Sequence, residues 1–166
     1  MVSYFPDQHL AWHETMDLHE LVALSWVGLI KLKKTYREVQ DPELRHLYGF
    51  SIQSLEHHLR ELTAFYPAAP RVSAETSMEP YGAFAFQAGD LLALAKTAVR
   101  SYAIAITETA TPALRQVLLK QMVASVHWHE MVYNYMYSRG LYPSYNLNQL
   151  LEGDLRNVHQ ALSMPY

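Results

Sequence analysis

The chain has 166 residues, of which half are apolar and 17% are charged, and its formal net charge is −3. A soluble chain of this length buries about two thirds of its surface as one globular domain. Its nearest approach to a basic patch is KLKK at 31–34, and no apolar run reaches the ~18 residues of a membrane span. We therefore expect neither nucleic acid nor a membrane as a partner.

The N-terminal residues MVSYFPDQHL lack the apolar core of a signal peptide, so we expect synthesis in the cytoplasm without export. There are no cysteines, which excludes disulfides, thiolate metal sites and a thiol nucleophile. There is also no Gly-x-Ser-x-Gly elbow and no glycine-rich phosphate loop, and only six glycines occur in all. The sequence therefore predicts a protein that is not an enzyme.

Apolar residues recur at three- and four-residue spacing in four long segments, which predicts four amphipathic helices. The predicted helices cover residues 7–38, 42–65, 90–110 and 112–139. Gly140 follows the fourth helix, where a helix C-terminus favours glycine. A short fifth helix is predicted over 147–161, with Asn146 as its N-cap, in a tail spanning 141–166.

The joints inside the two halves of the chain resemble each other at an offset of seventy residues. DPELRHLY begins at Asp41 and TPALRQVL begins at Thr111. In each, a good N-cap residue precedes a proline at the first helical position, where its missing N–H costs nothing. The same offset pairs Leu24 with Leu94. The pattern predicts two helical hairpins built on one plan, over about 7–65 and 90–139.

A connector at 66–89 separates the hairpins and holds three of the eight prolines and two of the six glycines. At ~3.3 Å per extended residue, ~20 residues can run the length of a bundle of ~35 Å. A crossover of that length lets the second and third helices run parallel, as in ferritin-like folds. We therefore predict an all-α, ferritin-like four-helix bundle in a single domain over 1–166, with an up-down-up-down bundle as the alternative.

Ferritin-like di-iron proteins place an inward glutamate on two helices and a Glu-x-x-His motif on the other two. The third predicted helix has acidic residues only at its ends, Asp90 and Glu108. On the second helix Glu56 is followed three residues later by Leu59, and the fourth helix has no Glu-x-x-His. The di-iron motif is therefore incomplete on three helices.

The remaining inward candidates for a metal ligand are Glu14, His58 and His129, with His19 at the margin. At ~1.5 Å rise per residue, His58 and His129 lie on the order of 10 Å or more apart along the predicted bundle, whereas metal ligands converge within ~2 Å of one point. We therefore expect no metal and no cofactor, and buried imidazoles with hydrogen-bond partners instead. His127 and Glu130 are predicted to be exposed on the helix surface.

The second half of the chain contains, in order, the segments GDLL, TPALRQVLLKQM, HWHEMVYNYM and RGLYP. Through these segments it resembles the coat-F-type spore coat proteins of endospore-forming bacteria. The first half is also similar to this family, through HETMDLHELVAL and KLKKTYREVQDPELRHLY. Together these segments cover about residues 9–145.

The resemblance implies a ferritin-like domain with a structural or accessory role in the spore coat, synthesised in the mother cell. It also suggests a use for the tyrosines near the end of the fourth helix, because coats are associated with cross-linked, tyrosine-rich protein. The candidate contact residues are Tyr133, Tyr137, Tyr142 and Tyr145, whereas Tyr135 is predicted to be a core residue.

Three hypotheses follow. The first is a coat protein without enzymatic activity that binds other spore coat proteins or its own copies. The second is a metal-dependent oxidase or metal-binding protein with a reduced site near His58 and His129. The third is a homodimer that completes a bundle face, for which the outer side of the fourth helix offers Val123, Val126 and Tyr133.

Overall fold

The computed structural model describes residues 9–70 and 84–166, and within these ranges all regular secondary structure is helical. The all-α prediction is confirmed. The α-helices are α1 (Trp12–Thr35), α2 (Pro42–Thr63), α3 (Ala85–Glu108), α4 (Pro112–Ser138) and α5 (Leu147–Ser163). Short 3-10 turns follow α1 at Tyr36–Glu38 and α2 at Tyr66–Ala68.

The helix bounds agree with the sequence pattern to within a few residues except at two starts: α1 begins at Trp12, five residues after the predicted start, and α3 begins at Ala85, five residues before it. Ala85 and Ala88 are both buried, so packing of the first turn extends the helix through Gly89. This burial outweighs the cost of about 1 kcal/mol that a glycine adds inside a helix. The predicted helical residues 7 and 8 and most of the predicted connector, 71–83, lie outside the described residues.

The two joints share one arginine contact but differ in capping, because Thr111, the predicted N-cap of the fourth helix, makes no side-chain hydrogen bond to its first turn. The Asp41 carboxylate accepts a hydrogen bond from Leu44 N at 2.7 Å and so caps α2. Arg45 donates through Nε to the carbonyl of Val39 at 2.9 Å, and seventy residues later Arg115 donates through Nε to the carbonyl of Thr109 at 3.2 Å. Each arginine thus forms a hydrogen bond between the first turn of its helix and the segment that precedes the helix.

One compact unit contains α1, α2 and α5. α1 packs against both α2 and α5, and the largest fully buried apolar side chains lie on α1 and α2. These are Val22, Leu29, Ile30, Ile52 and Leu59. Asn146 caps α5 by accepting from Gln149 N at 3.1 Å, as the sequence predicts.

The second compact unit is the α3–α4 hairpin. Its core cluster comprises Ala88, Leu92, Val132 and Met136. After α4, Gly140 adopts a left-handed backbone conformation with φ of 68°. Gly140 N then donates to Tyr137 O at 3.0 Å and Leu141 N to Met136 O at 2.9 Å, a Schellman arrangement that satisfies the terminal carbonyls.

The ferritin-like arrangement of the four long helices and the single-domain organisation remain predictions. Among the helices of the described residues, none combines the length and the apolarity that crossing a bilayer requires.

Candidate functional site

A buried polar network joins three elements of the unit that contains α1, α2 and α5. Asp154 on α5 lies 2.6 Å through Oδ2 from Nδ1 of His19 on α1. The same carboxylate oxygen accepts a hydrogen bond from the hydroxyl of Tyr66, also at 2.6 Å. Only 2% of His19 and 4% of Asp154 are exposed, so the network is shielded from water. Burial makes such bonds strong and makes their loss costly.

Tyr66 is held in its neutral form by this environment. Burial raises the pKa of its phenol well above the ordinary value, and the charge of Asp154 and its hydrogen bond raise that pKa further. The hydroxyl therefore stays a hydrogen-bond donor across the physiological pH range. A buried phenol of this kind stabilises the fold and is poorly suited to act as a base.

A buried lysine on α1 contacts both α2 and α5. Lys33 on α1 is 3% exposed, and its Nζ lies 2.7 Å from Oε1 of Glu56 on α2. The same ammonium donates to the carbonyls of Ala161 at 2.9 Å, Leu162 at 3.2 Å and Met164 at 3.0 Å. These carbonyls are at the C-terminal end of α5, where a helix presents unsatisfied acceptors and favours a cation. Lys33 therefore caps α5 from a neighbouring helix.

The predicted metal-ligand candidates occupy different environments. Glu14 and His58 were predicted to point inward, and this prediction was wrong, because both side chains are exposed. The Glu14 carboxylate instead accepts from the backbone N–H of Ala11 at 2.8 Å, at the start of α1. His19, placed only at the margin of the core, is the buried histidine and has a carboxylate partner.

His129 is half-buried on α4, in the other compact unit. The prediction of exposed positions for His127 and Glu130 is confirmed, and their side chains lie 3.7 Å apart on the helix surface. Within residues 9–70 and 84–166, no three histidine, aspartate or glutamate side chains come together in a way that could hold a metal ion.

The end of α4 carries an aromatic array made of Tyr133, Tyr137 and Tyr142. The rings of Tyr133 and Tyr137 stack with centroids 5.9 Å apart, and Tyr142 meets Tyr133 edge-on at 5.8 Å. Tyr133 and Tyr142 also pack against the core cluster of the hairpin, and Lys96 Nζ lies 5.6 Å from the centroid of the Tyr142 ring. The array is therefore anchored on one side, while Tyr137 remains 46% exposed.

Two further tyrosines near the end of α4, Tyr135 and Tyr145, are exposed. Tyr145, a predicted contact residue, is 87% exposed and belongs to the unit that contains α5. Tyr135 was predicted to be a core residue, and this was wrong: it is 40% exposed and its ring is covered by the Arg139 guanidinium at 3.8 Å. The inward stripe of α4 instead passes through Val132 and Met136, which are buried.

A cleft of about 330 Å³ lies beside the buried network, between the end of α2 and the face of α5. Its apolar lining comes from prolines, leucines and an alanine, and its polar groups from Thr63, Tyr66, Asn148 and Glu152. Ligand pockets in proteins span about 300–1,000 Å³, so this cleft is at the small end of that range.

Sequence reasoning missed both buried polar clusters. Lys33 stands in a run of three lysines whose other members, Lys31 and Lys34, are exposed. The available signal was helical phase, because Lys33 falls four residues after Leu29 and eleven after Val22, on the buried stripe. Asp154 gave a similar signal, since its α5 neighbours Leu150, Leu151 and Val158 are buried on one face.

The comparisons with known proteins concern mainly the second hairpin. A family model described as the Coat F domain matches residues 86–146. The spore coat protein F-like protein YraD of Bacillus subtilis (strain 168) is 36% identical over 76 residues, which cover 46% of this chain and 77% of that relative. No solved structure gives a significant match. The family resemblance predicted from the sequence is confirmed.

Proposed function

Since the chain belongs to the coat F family, we propose that it is a structural component of the proteinaceous coat of bacterial endospores. The observation that carries the proposal is the match to the Coat F domain, whose residues 86–146 include nearly all of α3, the whole of α4 and the aromatic array. The family indicates a structural role and not an enzymatic one. Under this proposal the chain is made in the mother cell and reaches the coat by binding proteins that are already there.

The proposed mode of action is protein–protein contact through the end of α4 and the turn that follows it. Tyrosine and arginine are favoured at the centres of interfaces, because they combine a large contact area with hydrogen-bonding groups. The stacked pair Tyr133 and Tyr137 is already held by the hairpin core, so binding a partner would order few additional side chains. Tyr145, with its large exposed fraction, is a second proposed contact.

We also propose that the four long helices form a ferritin-like four-helix bundle. The support for this arrangement is that α1–α2 and α3–α4 are hairpins with equivalent joints, as two halves of one bundle require. The partners we propose are other spore coat proteins and a second copy of this chain.

The coat role is tested by locating the protein in spores. A fluorescent fusion is expressed during sporulation, and the purified spores are separated into coat extract and core. We expect the chain in the coat extract. A chain found only in the mother-cell lysate or in the spore core would overturn the proposal.

The contact surface is tested by cross-linking in intact spores. Tyr137→Ala and Tyr145→Ala are compared with Trp12→Ala, which removes an aromatic side chain that is 57% exposed at the start of α1. We expect cross-linked products to decrease in both tyrosine variants and to persist in the tryptophan variant. Equal yields in all three variants would show that the contacts lie elsewhere.

A further inference from the structure

The cleft between the end of α2 and the face of α5 lies within one compact unit and has two sides of different character. The turn after α2 supplies apolar surface from Pro67, Ala69 and Pro70. On the other side, α5 supplies the apolar pair Leu151 and Leu155 and the polar pair Asn148 and Glu152. Residues four apart are neighbours on a helix surface, so each pair forms a row along α5. The cleft therefore combines an apolar surface with a polar row on one helix.

The hydroxyl protons of the cleft lining are already used within the protein. The Thr63 hydroxyl donates to the carbonyl of Leu59 at 2.7 Å, and the Tyr66 hydroxyl donates to Asp154 at 2.6 Å. A hydroxyl has a single proton, so what remains on each oxygen is acceptor capacity. The two prolines of the lining have no N–H, and the N–H of Ala69 donates to the carbonyl of Tyr66 at 3.1 Å.

The charged group of the lining is the carboxylate of Glu152. Its side chain is exposed, and it has no hydrogen-bond or ion-pair partner among residues 9–70 and 84–166. An ionised carboxylate only accepts hydrogen bonds, whereas the amide of Asn148 has both donors and an acceptor. The lining side chains therefore offer mainly acceptors and one negative charge, which favours a ligand that is positively charged and donates hydrogen bonds.

We propose that this cleft binds a primary ammonium or guanidinium group carried on an aliphatic stem. Both groups are positively charged and have N–H donors but no acceptor, which complements the lining. The cation pairs with Glu152, and the stem packs against the leucine row and the prolines, as the stems of lysine and arginine pack along apolar surfaces. A free alkylamine has this chemistry, and so does the lysine or arginine side chain of a partner protein.

The first test is a nuclear magnetic resonance titration of the full chain. The probes are n-butylammonium chloride and sodium butyrate, which have stems of similar length and opposite charge, at equal ionic strength. We expect n-butylammonium to shift the backbone amide signals of residues 63–70 and 148–155, and butyrate to leave them in place. Methylammonium is expected to bind more weakly than n-butylammonium, because it lacks the stem that packs against Leu151 and Leu155.

The second test removes the charge at the cleft. Glu152→Gln keeps the size of the side chain, and we expect it to bind n-butylammonium about fivefold more weakly, as for an ion pair that is partly exposed to solvent. Glu43→Gln is the matched control, because Glu43 is an exposed carboxylate in the first turn of α2, about 30 Å along the helix from Thr63. The control is expected to bind n-butylammonium as the wild type does, and circular dichroism checks that both variants are folded.

A third probe distinguishes the two sources of the cation. Nα-acetyl-lysine methylamide carries the lysine side chain on a backbone blocked at both ends, as in a protein. If it binds together with n-butylammonium, the ligand is a side chain of a partner protein. If n-butylammonium binds and the blocked lysine does not, the ligand is a free amine.

The inference would be overturned if n-butylammonium shifted no signals around the cleft, or if butyrate shifted the same signals equally. Equal affinity of the wild type and Glu152→Gln for n-butylammonium would also overturn it. These outcomes leave the coat location intact, because the fractionation of spores measures it independently.

Discussion

Asp154 on α5 accepts a hydrogen bond from the hydroxyl of Tyr66 at 2.6 Å, although 88 residues separate them in the sequence. Because His19 shares the same carboxylate oxygen, one aspartate connects α1, the turn after α2, and α5. This contact attaches the C-terminal helix to the first hairpin, and it leads to a prediction about pH.

Tyr66 is expected to make the protein less stable as the pH rises into the alkaline range. The folded-state pKa of its phenol is raised above the ordinary value of 10.0, mainly by burial. Below pH 10 both folded and unfolded chains keep the proton, and the stabilising contribution is complete. Above it the unfolded chain releases the proton first, so stability falls by up to about 1.4 kcal/mol per pH unit.

The measurement is urea denaturation between about pH 8 and about pH 11, which brackets the ordinary tyrosine pKa. Tyr66→Phe lacks the titrating group and is expected to lose less stability over the same interval. Parallel pH profiles for the wild type and the variant would contradict the prediction.

Asp154→Ala is expected to destabilise the fold by about 3 kcal/mol, because it leaves two buried donors without their acceptor. Asp154→Asn keeps an acceptor for the Tyr66 hydroxyl and should cost less. Glu152→Ala alters an exposed carboxylate on the same helix and should change stability by no more than about 0.5 kcal/mol. Denaturant midpoints measure all three, and similar midpoints for Asp154→Ala and Glu152→Ala would argue against a stabilising network.

Lys33→Ala should also destabilise the protein by about 2 kcal/mol, because the buried ammonium loses its ion pair with Glu56 and its hydrogen bonds to α5. The variant also removes the cap from three carbonyls at the end of α5. Lys34→Ala is the matched control, since that lysine is exposed on the same helix. Thermal unfolding compares the two, and an equal decrease in Tm would refute the special role of Lys33.

Alanine substitutions at two glycines are expected to change the stability of the protein in opposite directions. Gly140→Ala should destabilise by about 1–2 kcal/mol, because the backbone there has a φ of 68° and an L side chain is strained in that conformation. Gly28→Ala should stabilise by about 0.5–1 kcal/mol, because a Cβ on α1 would make ordinary contact with Leu55 Cδ1 at 3.6 Å and alanine favours a helix. Calorimetry of both variants provides the check; a higher Tm for Gly140→Ala than for Gly28→Ala would be the contrary result.

Local signals in the sequence were sufficient to predict the helices and several of their ends. Asp41 and Asn146 act as N-caps and Gly140 ends α4 as predicted, since each acts on backbone groups within a few residues. The burial of His19 could not be predicted in the same way, because its partner Asp154 is 135 residues away. Helical phase alone did not distinguish the buried side of α2 from its exposed edge, which is why His58 was misplaced.

The aromatic array illustrates the same limit. The resemblance to coat-F-type proteins implied that tyrosines would be contact residues, but which of them pack inward depends on α3, whose Ala88 and Leu92 form the other side of the core. Val132 and Met136 fill that core, and Tyr135, which lies about 100° around α4 from Met136, is turned outward.

The position of Asp154 has a consequence for the order in which the chain folds during translation. The α3–α4 hairpin depends on contacts close in sequence and can form as soon as both its helices have left the ribosome. The first hairpin is synthesised earlier, yet His19 and Lys33 receive their α5 partners only when the last helix emerges. The half of the protein that is made first is therefore the half that is completed last.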